Sequence, residues 1–575
     1  MNAGQGIRFW IQRLHSKQFP FRLIRFETMK SEIKNLPPPC DSPIWGYGPV
    51  LDTIQKAGIF SDSKTFVDLK LNHSEEKILE NFKKLPDNPS HAVLLEFINE
   101  NFCRNFHQEM TTWTPDDWVE EPEYLESIKD EKLLYIGRQI NTKWLELSRK
   151  CSSELAKTPE KFSKIHLPYG FIIPGGRFRE IYYWDSYWII CGLLISKMTA
   201  TANGIIGNLL HQVDRFGHVP NGTRIYYMRR TQPPYLIPMM AKYIEKTTDL
   251  KFLAESIATM ERELDFFETH RRIDYTWEGR RYTVFHFGSE SSGPRPESYK
   301  EDLVEAQENF DTIEEQEECY MHKKAAAESG WDFSSRWYID ENGENKGPLI
   351  NTKTCYIAPT DLNALMYQNY RFMARFHRML GSEEKGRFYD GKSGDILRSL
   401  NELFWCSQEH MWFDIDMLNN KRRYYFYASN LFPLWAEAYE PFRAFHVAKC
   451  AVNYLHRSGA LNHPGGIPAS LEHTDQQWDY SVWAPLHHFI IYGLKKTGDE
   501  QAIKLAKKIT KKFVQAILSN CTINALSTSF FEKYDPDNPG RPFDGGEYSV
   551  QVGFGWTNGV LVDFINQYGD DLTKP

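Results

Sequence analysis

The sequence has no continuous apolar run near the roughly 18 residues that indicate a membrane-spanning helix. Its 575 residues carry a net charge of −8, which argues against a surface for nucleic acid. Its nine cysteines are scattered, without the paired spacing of zinc sites, and this favours free or buried thiols. Aromatic side chains, in contrast, are abundant at 14% of residues, a proportion that suits a carbohydrate site without proving one.

The beginning of the chain differs in composition from the rest. Residues 1–26 contain no acidic residue and lack the continuous apolar core of a secretory signal. They do contain five basic residues: Arg8, Arg13, Lys17, Arg22 and Arg25. Prolines at 37–39 follow. We therefore expect an N-terminal extension over residues 1–35, compatible with disorder, and a single domain over 36–575. We expect a soluble protein, cytoplasmic by default because no signal is visible; the alternative is an extracellular protein whose signal is absent from this sequence.

From about residue 120 the sequence predicts one helix after another. Residues 502–517 are the clearest case, because apolar residues recur at helical spacing on one face while Lys504, Lys507 and Lys508 fall on the other. Residues 273–287 predict a small inserted β-hairpin. Helical hairpins of this kind can close into a double ring around a central pocket. Periodicity alone does not distinguish that ring from an open solenoid.

The most informative segment is residues 174–188, where Arg177 and Asp185 stand among aromatic residues after a glycine pair. Sugars suit this mixture, since aromatic faces cover C–H groups while guanidinium and carboxylate groups bind paired hydroxyls. The alternative is an aromatic helix in the core in which Arg177 and Asp185 pair with each other.

Further loops combine acids with tryptophan and glycine, as functional loops often do. They bring the number of candidate carboxylates to six: Asp185, Glu297, Asp332, Asp479, Glu532 and Glu547. Glycoside hydrolysis needs two, and the residues alone do not select which two. A metal site is not favoured, because few histidines accompany the acids and Arg177, Arg230 and Arg295 would repel a cation.

Five motifs in order resemble the inverting α,α-trehalase family over about residues 40–568. They are the segment 174–188, Glu-Ser-Gly-Trp-Asp-Phe-Ser-Ser-Arg-Trp at 328–337, Gln-Trp-Asp-Tyr with Trp-Ala-Pro at 477–485, Gly-Gly-Glu-Tyr at 545–548, and Gly-Phe-Gly-Trp-Thr-Asn-Gly at 553–559. The resemblance implies an all-α fold, an (α/α)6 double-ring barrel with inserted loops. It also implies hydrolysis of trehalose to two glucoses without cofactor or metal. It leaves the oligomeric state open.

The resemblance also implies roles for individual residues. Asp332 matches the general acid and Glu532 the general base. The positions that match substrate-binding residues are Arg177, Trp184, Asp185, Asn221, Arg230, Thr231, Gln232, Arg295, Pro296, Glu297, Gly330 and Glu547.

The chain departs from the family pattern in two loops. Only Ser481 and Val482 separate Tyr480 from Trp483, one residue fewer than usual, and the loop before Glu547 has few of the usual glycines. Two other functions remain open at this point: a trehalose-binding protein without activity, and a glucoamylase-like hydrolase on the same type of barrel.

A physical argument supports Asp332 as the acid. If residues 313–329 are helical and Gly330 ends the helix, Asp332 follows the negative end of the helix dipole. Packing of the flanking aromatic residues would reduce its solvation, and both effects raise the pKa of a carboxyl group. The argument requires that Arg336 point elsewhere. Lys533 and a binding arginine are expected to keep Glu532 ionised.

Overall fold

Helices make up most of the chain, and they begin and end where the sequence supplies caps. The structure is a computed structural model that describes residues 36–104, 108–520 and 530–574. The carboxylate of Asp499, for example, accepts hydrogen bonds from the N–H groups of Gln501 and Ala502 and so begins the helix Glu500–Ser519. The α-helices described, numbered along the chain, are α1 Pro49–Ala57, α2 Ser63–Val67, α3 Glu75–Phe82, α4 His91–Asn101, α5 Glu131–Leu147, α6 Ser153–Lys157, α7 Asp185–Ile195, α8 Thr199–Phe216, α9 Leu236–Thr247, α10 Leu250–His270, α11 Tyr299–Asn309, α12 Ile313–Ser329, α13 Thr360–Met379, α14 Glu383–Ser399, α15 Phe432–Trp435, α16 Ala444–Arg457, α17 Ala484–Lys496, α18 Glu500–Ser519 and α19 Gly555–Tyr568.

Twelve of these helices form two concentric rings, which confirms the (α/α)6 barrel. The inner ring contains α7, α9, α13, α15, α17 and α19, each packed against the next, and α19 packs back against α7. The outer ring contains α5, α8, α10, α14, α16 and α18. The barrel is therefore closed, and the open solenoid that periodicity left possible is wrong.

Burial follows from position in the rings. Every residue of α7 from Asp185 to Leu194 is buried, as expected for a helix with neighbours on all sides. In the outer helix α18, Leu505, Ile509 and Phe513 are buried while Lys504 is exposed. The lysine run is thus a solvated face, as the periodicity predicts.

Short antiparallel strands connect the helices. The longest pair, β6 with β7, is the predicted hairpin, in which Arg272 pairs with Phe285 and Trp277 with Arg280. The strands are β1 Lys70–Leu71, β2 Phe102–Cys103, β3 Met110–Thr112, β4 Ser148–Cys151, β5 Phe171–Ile172, β6 Arg272–Trp277, β7 Arg280–Phe285, β8 Ile357–Ala358, β9 Trp405–Cys406, β10 Met411–Trp412, β11 Ile415–Asp416, β12 Lys421–Arg422, β13 Val482–Trp483 and β14 Lys533–Tyr534. Pairing of β13 with β14 joins the 477–485 motif to the strand that follows Glu532.

The segment before the barrel packs onto its loops. Apolar residues of α1–α4 form a cluster that includes Tyr182, Tyr226 and Tyr227 from barrel loops. The segment from residue 36 onward therefore contributes to the same loop region. The division into an extension over 1–35 and one domain over 36–575 stays a prediction, since residues 1–35 lie outside the described ranges.

Two further predictions concern membranes and cysteines. Among the helices described, none is long and apolar enough to cross a bilayer. The eight cysteines in the described ranges are free thiols. The buried ones that follow the N-terminal segment are Cys191, Cys319, Cys355, Cys406 and Cys450. Cys521 lies outside the described residues.

Two glycines bring the first and last inner helices together. A Cβ atom on Gly559 of α19 would lie 2.0 Å from the carbonyl oxygen of Trp188 in α7. A Cβ atom on Gly192 of α7 would lie 2.8 Å from the Cα atom of Gly559. The ring therefore closes through a contact that only glycine allows.

We expect Gly559→Ala to lower the free energy of unfolding by about 1–3 kcal/mol, because the added methyl group forces α7 and α19 apart. Gly391→Ala is the matched control, since Gly391 lies on an exposed face of α14 with open space around it. That change should leave stability equal or raise it by up to about 1 kcal/mol. Urea unfolding of the three proteins measures the difference, and a Gly559→Ala protein as stable as wild type would contradict the close contact.

Candidate active site

Loops at the N-terminal ends of the inner helices α7, α9, α17 and α19 surround a cavity of about 70 Å³ that is open to solvent. Twelve residues that the sequence marks as candidates line this cavity: Arg177, Trp184, Asp185, Asn221, Arg230, Gln232, Arg295, Glu297, Gly330, Asp332, Glu532 and Glu547. They come from segments spread over most of the chain.

Three other candidates lie behind the cavity wall. The N–H group of Thr231 donates to Oε2 of Glu328 at 2.9 Å, and its hydroxyl donates to the Val219 carbonyl at 2.6 Å. The carbonyl oxygen of Pro296 accepts a hydrogen bond from Gln55 at 3.3 Å. Both residues hold the loops that carry their lining neighbours.

Asp479 is the third candidate carboxylate behind the wall, and it organises a loop. It accepts hydrogen bonds from the hydroxyls of Ser334, at 2.7 Å, Ser335, at 2.8 Å, and Ser470, at 3.0 Å. Since Ser334 and Ser335 follow Asp332 closely, Asp479 fixes the segment that presents the proposed acid. Five of the six candidate carboxylates thus line the cavity, and Asp479 supports it.

Arg177 is held by an acid that the sequence analysis did not select. Its Nε and Nη2 atoms donate to Oδ2 and Oδ1 of Asp62 at 2.9 and 2.7 Å. The alternative in which Arg177 pairs with Asp185 is wrong. Asp62 precedes α2 and reaches Arg177 because the segment before the barrel packs on the barrel loops.

The other two arginines are likewise paired before any sugar binds. Arg230 donates to Oδ1 of Asn221 at 2.8 Å and forms a short ion pair with Glu297. The Nη2 atom of Arg295 donates to Oε1 of Glu547 at 2.7 Å. On its other edge Arg295 binds Asp302, at 2.9 and 2.8 Å. Arg230 and Arg295 in turn neutralise Glu297 and Glu547, two of the five carboxylates that line the cavity.

Indole rings build an apolar wall of the cavity. The ring of Trp478 lies 5.6 Å from Trp184 and 5.3 Å from Trp331, measured between ring centroids. Trp556 stands edge-on to Trp184 at 5.8 Å. A Cβ atom on Gly330 would lie 2.7 Å from Cζ2 of Trp184, so glycine is required there for space as well as for its φ of +75°.

Asp332 lies just after the end of α12, as the sequence predicts. Gly330 ends the helix in the left-handed conformation, and Arg336 points away to ion pairs with Asp361, at 2.7 Å, and Asp414, at 2.8 Å. Burial raises the pKa of Asp332 to about 7, and the negative charge of Glu547 adds to the effect. Both the direction and the part played by dehydration agree with the prediction, while the charge of Glu547 is a cause that the sequence analysis did not name.

Glu532 occupies a different environment. The hydroxyl of Tyr548 donates to its Oε1 atom at 2.7 Å, and the N–H of Gln551 donates to Oε2 at 3.3 Å. Burial nevertheless raises the pKa of Glu532, while the charge of Lys533 and these hydrogen bonds oppose the rise. The expected ionising influence of Lys533 is thus present but does not outweigh dehydration.

A third carboxyl group, Asp185, shares this region. Burial raises its pKa well above the usual range, and the charges of Glu532 and Asp332 raise it further. The three groups are therefore electrostatically linked, and their protons are distributed over the cluster.

Gln477 connects the loops of the proposed acid and base. Its Nε2 atom donates to the backbone carbonyl of Asp332 at 2.7 Å, and its Oε1 atom accepts from Nζ of Lys533 at 2.9 Å. The sequence analysis quoted Gln477 and Tyr548 within motifs without giving them roles. No sequence motif indicated a role for Asp62, because it lies 115 residues before its partner Arg177.

The sequence matches one protein family and is similar to known members of it. The Trehalase family profile matches residues 58–569. The chain is 41% identical to the trehalase of Apis mellifera over 93% of its own length and 86% of that protein. It is 40% identical to the trehalase of Homo sapiens over 94% and 91% of the two chains.

A solved structure shares the fold. Neutral trehalase Nth1 from Saccharomyces cerevisiae superposes with a TM-score of 0.56 at 20% identity, over 70% of this chain and 74% of that one. The family profile and the relatives at about 40% identity cover nearly the whole described barrel. The chain therefore belongs to the trehalase family of glycoside hydrolases, as its motifs predict.

Proposed function

We propose that this protein hydrolyses α,α-trehalose to two glucose molecules with inversion, using Asp332 as general acid and Glu532 as general base. The observation that carries the proposal is the placement of these two carboxyl groups in one cavity with different surroundings. Asp332 has a pKa of about 7, near the pH at which a general acid works best. Glu532 accepts hydrogen bonds from Tyr548 and Gln551, which stabilise its ionised form.

The proposed reaction is a single displacement. Asp332 gives its proton to the glycosidic oxygen as the bond from that oxygen to the anomeric carbon breaks. Glu532 takes a proton from a water molecule, whose oxygen bonds to the anomeric carbon from the opposite face. One glucose leaves with its α configuration retained, and the other is released as the β anomer. Asp332 and Glu532 then exchange protons with solvent to restore the starting state.

The paired arginines are proposed to bind the sugar hydroxyls. A guanidinium group has five N–H donors, so Arg177, Arg230 and Arg295 keep donors for the substrate after binding their acids. Because those acids fix the arginine positions in advance, little side-chain entropy is lost when sugar binds. The tryptophan wall is proposed to cover the C–H faces of the sugar rings. Thr231 and Pro296 are proposed to act only through the loops they hold.

Two alternatives are separated by one assay. A protein that binds trehalose without cleaving it would release no glucose, and a glucoamylase-like hydrolase would prefer maltose. We propose that the purified protein releases glucose from trehalose far faster than from maltose.

The cytoplasm stays the proposed compartment. The eight free thiols in the described ranges support it, and cell fractionation would test it.

The first products should reveal the stereochemistry. Proton NMR at early times should show α- and β-glucose in equal amounts, before mutarotation mixes them. Two α anomers would contradict inversion, and so would a covalent glycosyl-enzyme intermediate.

The two carboxyl groups should respond differently to a good leaving group. Asp332→Asn and Glu532→Gln should each lower kcat on trehalose by about 10²–10⁴-fold or more. With α-glucosyl fluoride, which needs little protonation, Asp332→Asn should recover much of its activity while Glu532→Gln should not. Each variant is the control for the other, since the substitutions are equally conservative. The reverse pattern would show that the two roles are exchanged.

The pH profile should depend on Glu547. The acid must be protonated, so kcat/KM should fall as the pH rises through the pKa of Asp332, about 7. Glu547→Gln removes a negative charge that raises this pKa and leaves Arg295, whose positive charge lowers it, paired with Asp302 alone. The alkaline limb should therefore move to lower pH. Glu500→Gln, an equal change of charge on exposed α18, should leave the limb in place. A limb that does not move in Glu547→Gln would exclude Asp332 as the titrating group.

A further inference from the structure

A second group of chemically reactive side chains lies outside the cavity. His410, His446 and Cys450 each offer a nitrogen or sulfur atom, and these atoms all lie within 4.8 Å of one another. None of the three residues lines the active-site cavity. We propose that this His–His–Cys cluster is a zinc site that links the β9–β10 hairpin to the outer helix α16.

Two of the proposed ligands share one face of α16. His446 and Cys450 are four residues apart, a spacing that places side chains one above the other on a helix. The Sγ atom of Cys450 lies 3.7 Å from Nε2 of His446. A tetrahedral zinc ion with ordinary bond lengths places a sulfur and a nitrogen ligand about 3.6 Å apart. The helical pair therefore already has the separation that one zinc ion requires.

The third ligand comes from a separate element. His410 precedes β10 in the hairpin β9–β10, where Met411 pairs with Cys406 and Trp412 with Trp405. Its φ angle is +52°, in the left-handed region that few non-glycine residues adopt. The ring centroids of His410 and His446 are 6.3 Å apart at 85° to each other. Rings in this arrangement can direct two nitrogen atoms to one point.

The nearby cations are engaged elsewhere. The guanidinium group of Arg457 pairs with Glu409 at 3.2 Å. Arg443 lies 5.0 Å from the ring centroid of Trp405 and donates to Asn401 at 3.0 Å. Glu409 also places a carboxylate on the residue next to His410. Glu409 thus neutralises Arg457, while Arg443 keeps its charge but is directed to the Trp405 ring and the Asn401 amide.

The donor types select the metal. One thiolate and two imidazoles suit zinc, whereas magnesium and calcium take oxygen ligands. His410 and His446 are exposed while Cys450 is buried, so the fourth position opens to solvent and would hold water. Because the ligands join the hairpin to α16, the bound ion would act as a cross-link that stabilises this side of the barrel. The prediction that catalysis needs no metal is unaffected.

Cobalt titration of the full-length, metal-free protein tests the proposal. Co²⁺ should produce a thiolate-to-metal charge-transfer band in the near ultraviolet at one equivalent, and Zn²⁺ should displace it. Cys450→Ala should lose the band. His410→Asn, which tolerates the left-handed backbone, and His446→Ala should each weaken Co²⁺ binding by at least about tenfold, since even loss of an outer-shell partner costs that much. His456→Ala, an exposed histidine of the same helix, should bind as wild type does.

A second measurement distinguishes loss of zinc binding from poor folding of a variant. Zn²⁺ should raise the melting temperature of wild type and His456→Ala but not of the three ligand variants. Circular dichroism at low temperature should show that all of them are folded. Activity on trehalose should be equal with and without chelator, so failure here is distinct from failure of the catalytic proposal. The absence of a thiolate band in wild type, or equal binding by wild type and Cys450→Ala, would overturn the zinc site.

Discussion

The cavity depends on one constraint: charged groups taken out of water need partners of opposite charge. Arg177 meets this need with Asp62, Arg230 with Glu297, and Arg295 with Asp302 and Glu547. These pairs also fix the arginines before a substrate arrives. Asp62, Glu297 and Glu547 lie outside the α-helices and Asp302 lies in α11, so segments distant in sequence hold the groups that are proposed to bind sugar. The same pairing that permits burial therefore prepares the site.

Asp185, Asp332 and Glu532 face the same constraint without an arginine in direct contact, and burial raises the pKa of all three. Their surroundings then separate them. Glu532 accepts two hydrogen bonds that favour its ionised form, whereas Asp332 lies in the negative field of Glu547. One environment suits a proton acceptor and the other a proton donor, and this is how a single cavity can provide both at neutral pH.

The sequence predicted the structural features that depend on residues close to one another along the chain. The α18 face, the β6–β7 hairpin and the end of α12 at Gly330 follow from local patterning and are confirmed. Ring closure was not predictable from periodicity and followed only from the family resemblance, because the contact between Gly192 and Gly559 joins distant segments and leaves no periodic trace. Asp62 was missed for the same reason. The residues alone, without the family resemblance, could not rank the six candidate carboxylates, because only packing shows that Asp479 binds the serine loop while the other five line the cavity.

The two departures from the family pattern converge on strand β14. Ser481, in the shortened loop, donates to the backbone carbonyl of Gln477, and the following strand β13 pairs with β14. The altered loop before Glu547 contacts the same strand, since Lys533 donates to the carbonyl of Gly545 at 2.6 Å. Lys533 and Gln477 in turn connect Glu532 to the carbonyl of Asp332. A shift in either loop would move Lys533 and, through Gln477, the proposed acid. These contacts join the segments that carry the proposed acid and base to the two loops in which the sequence analysis expects a departure from the family pattern.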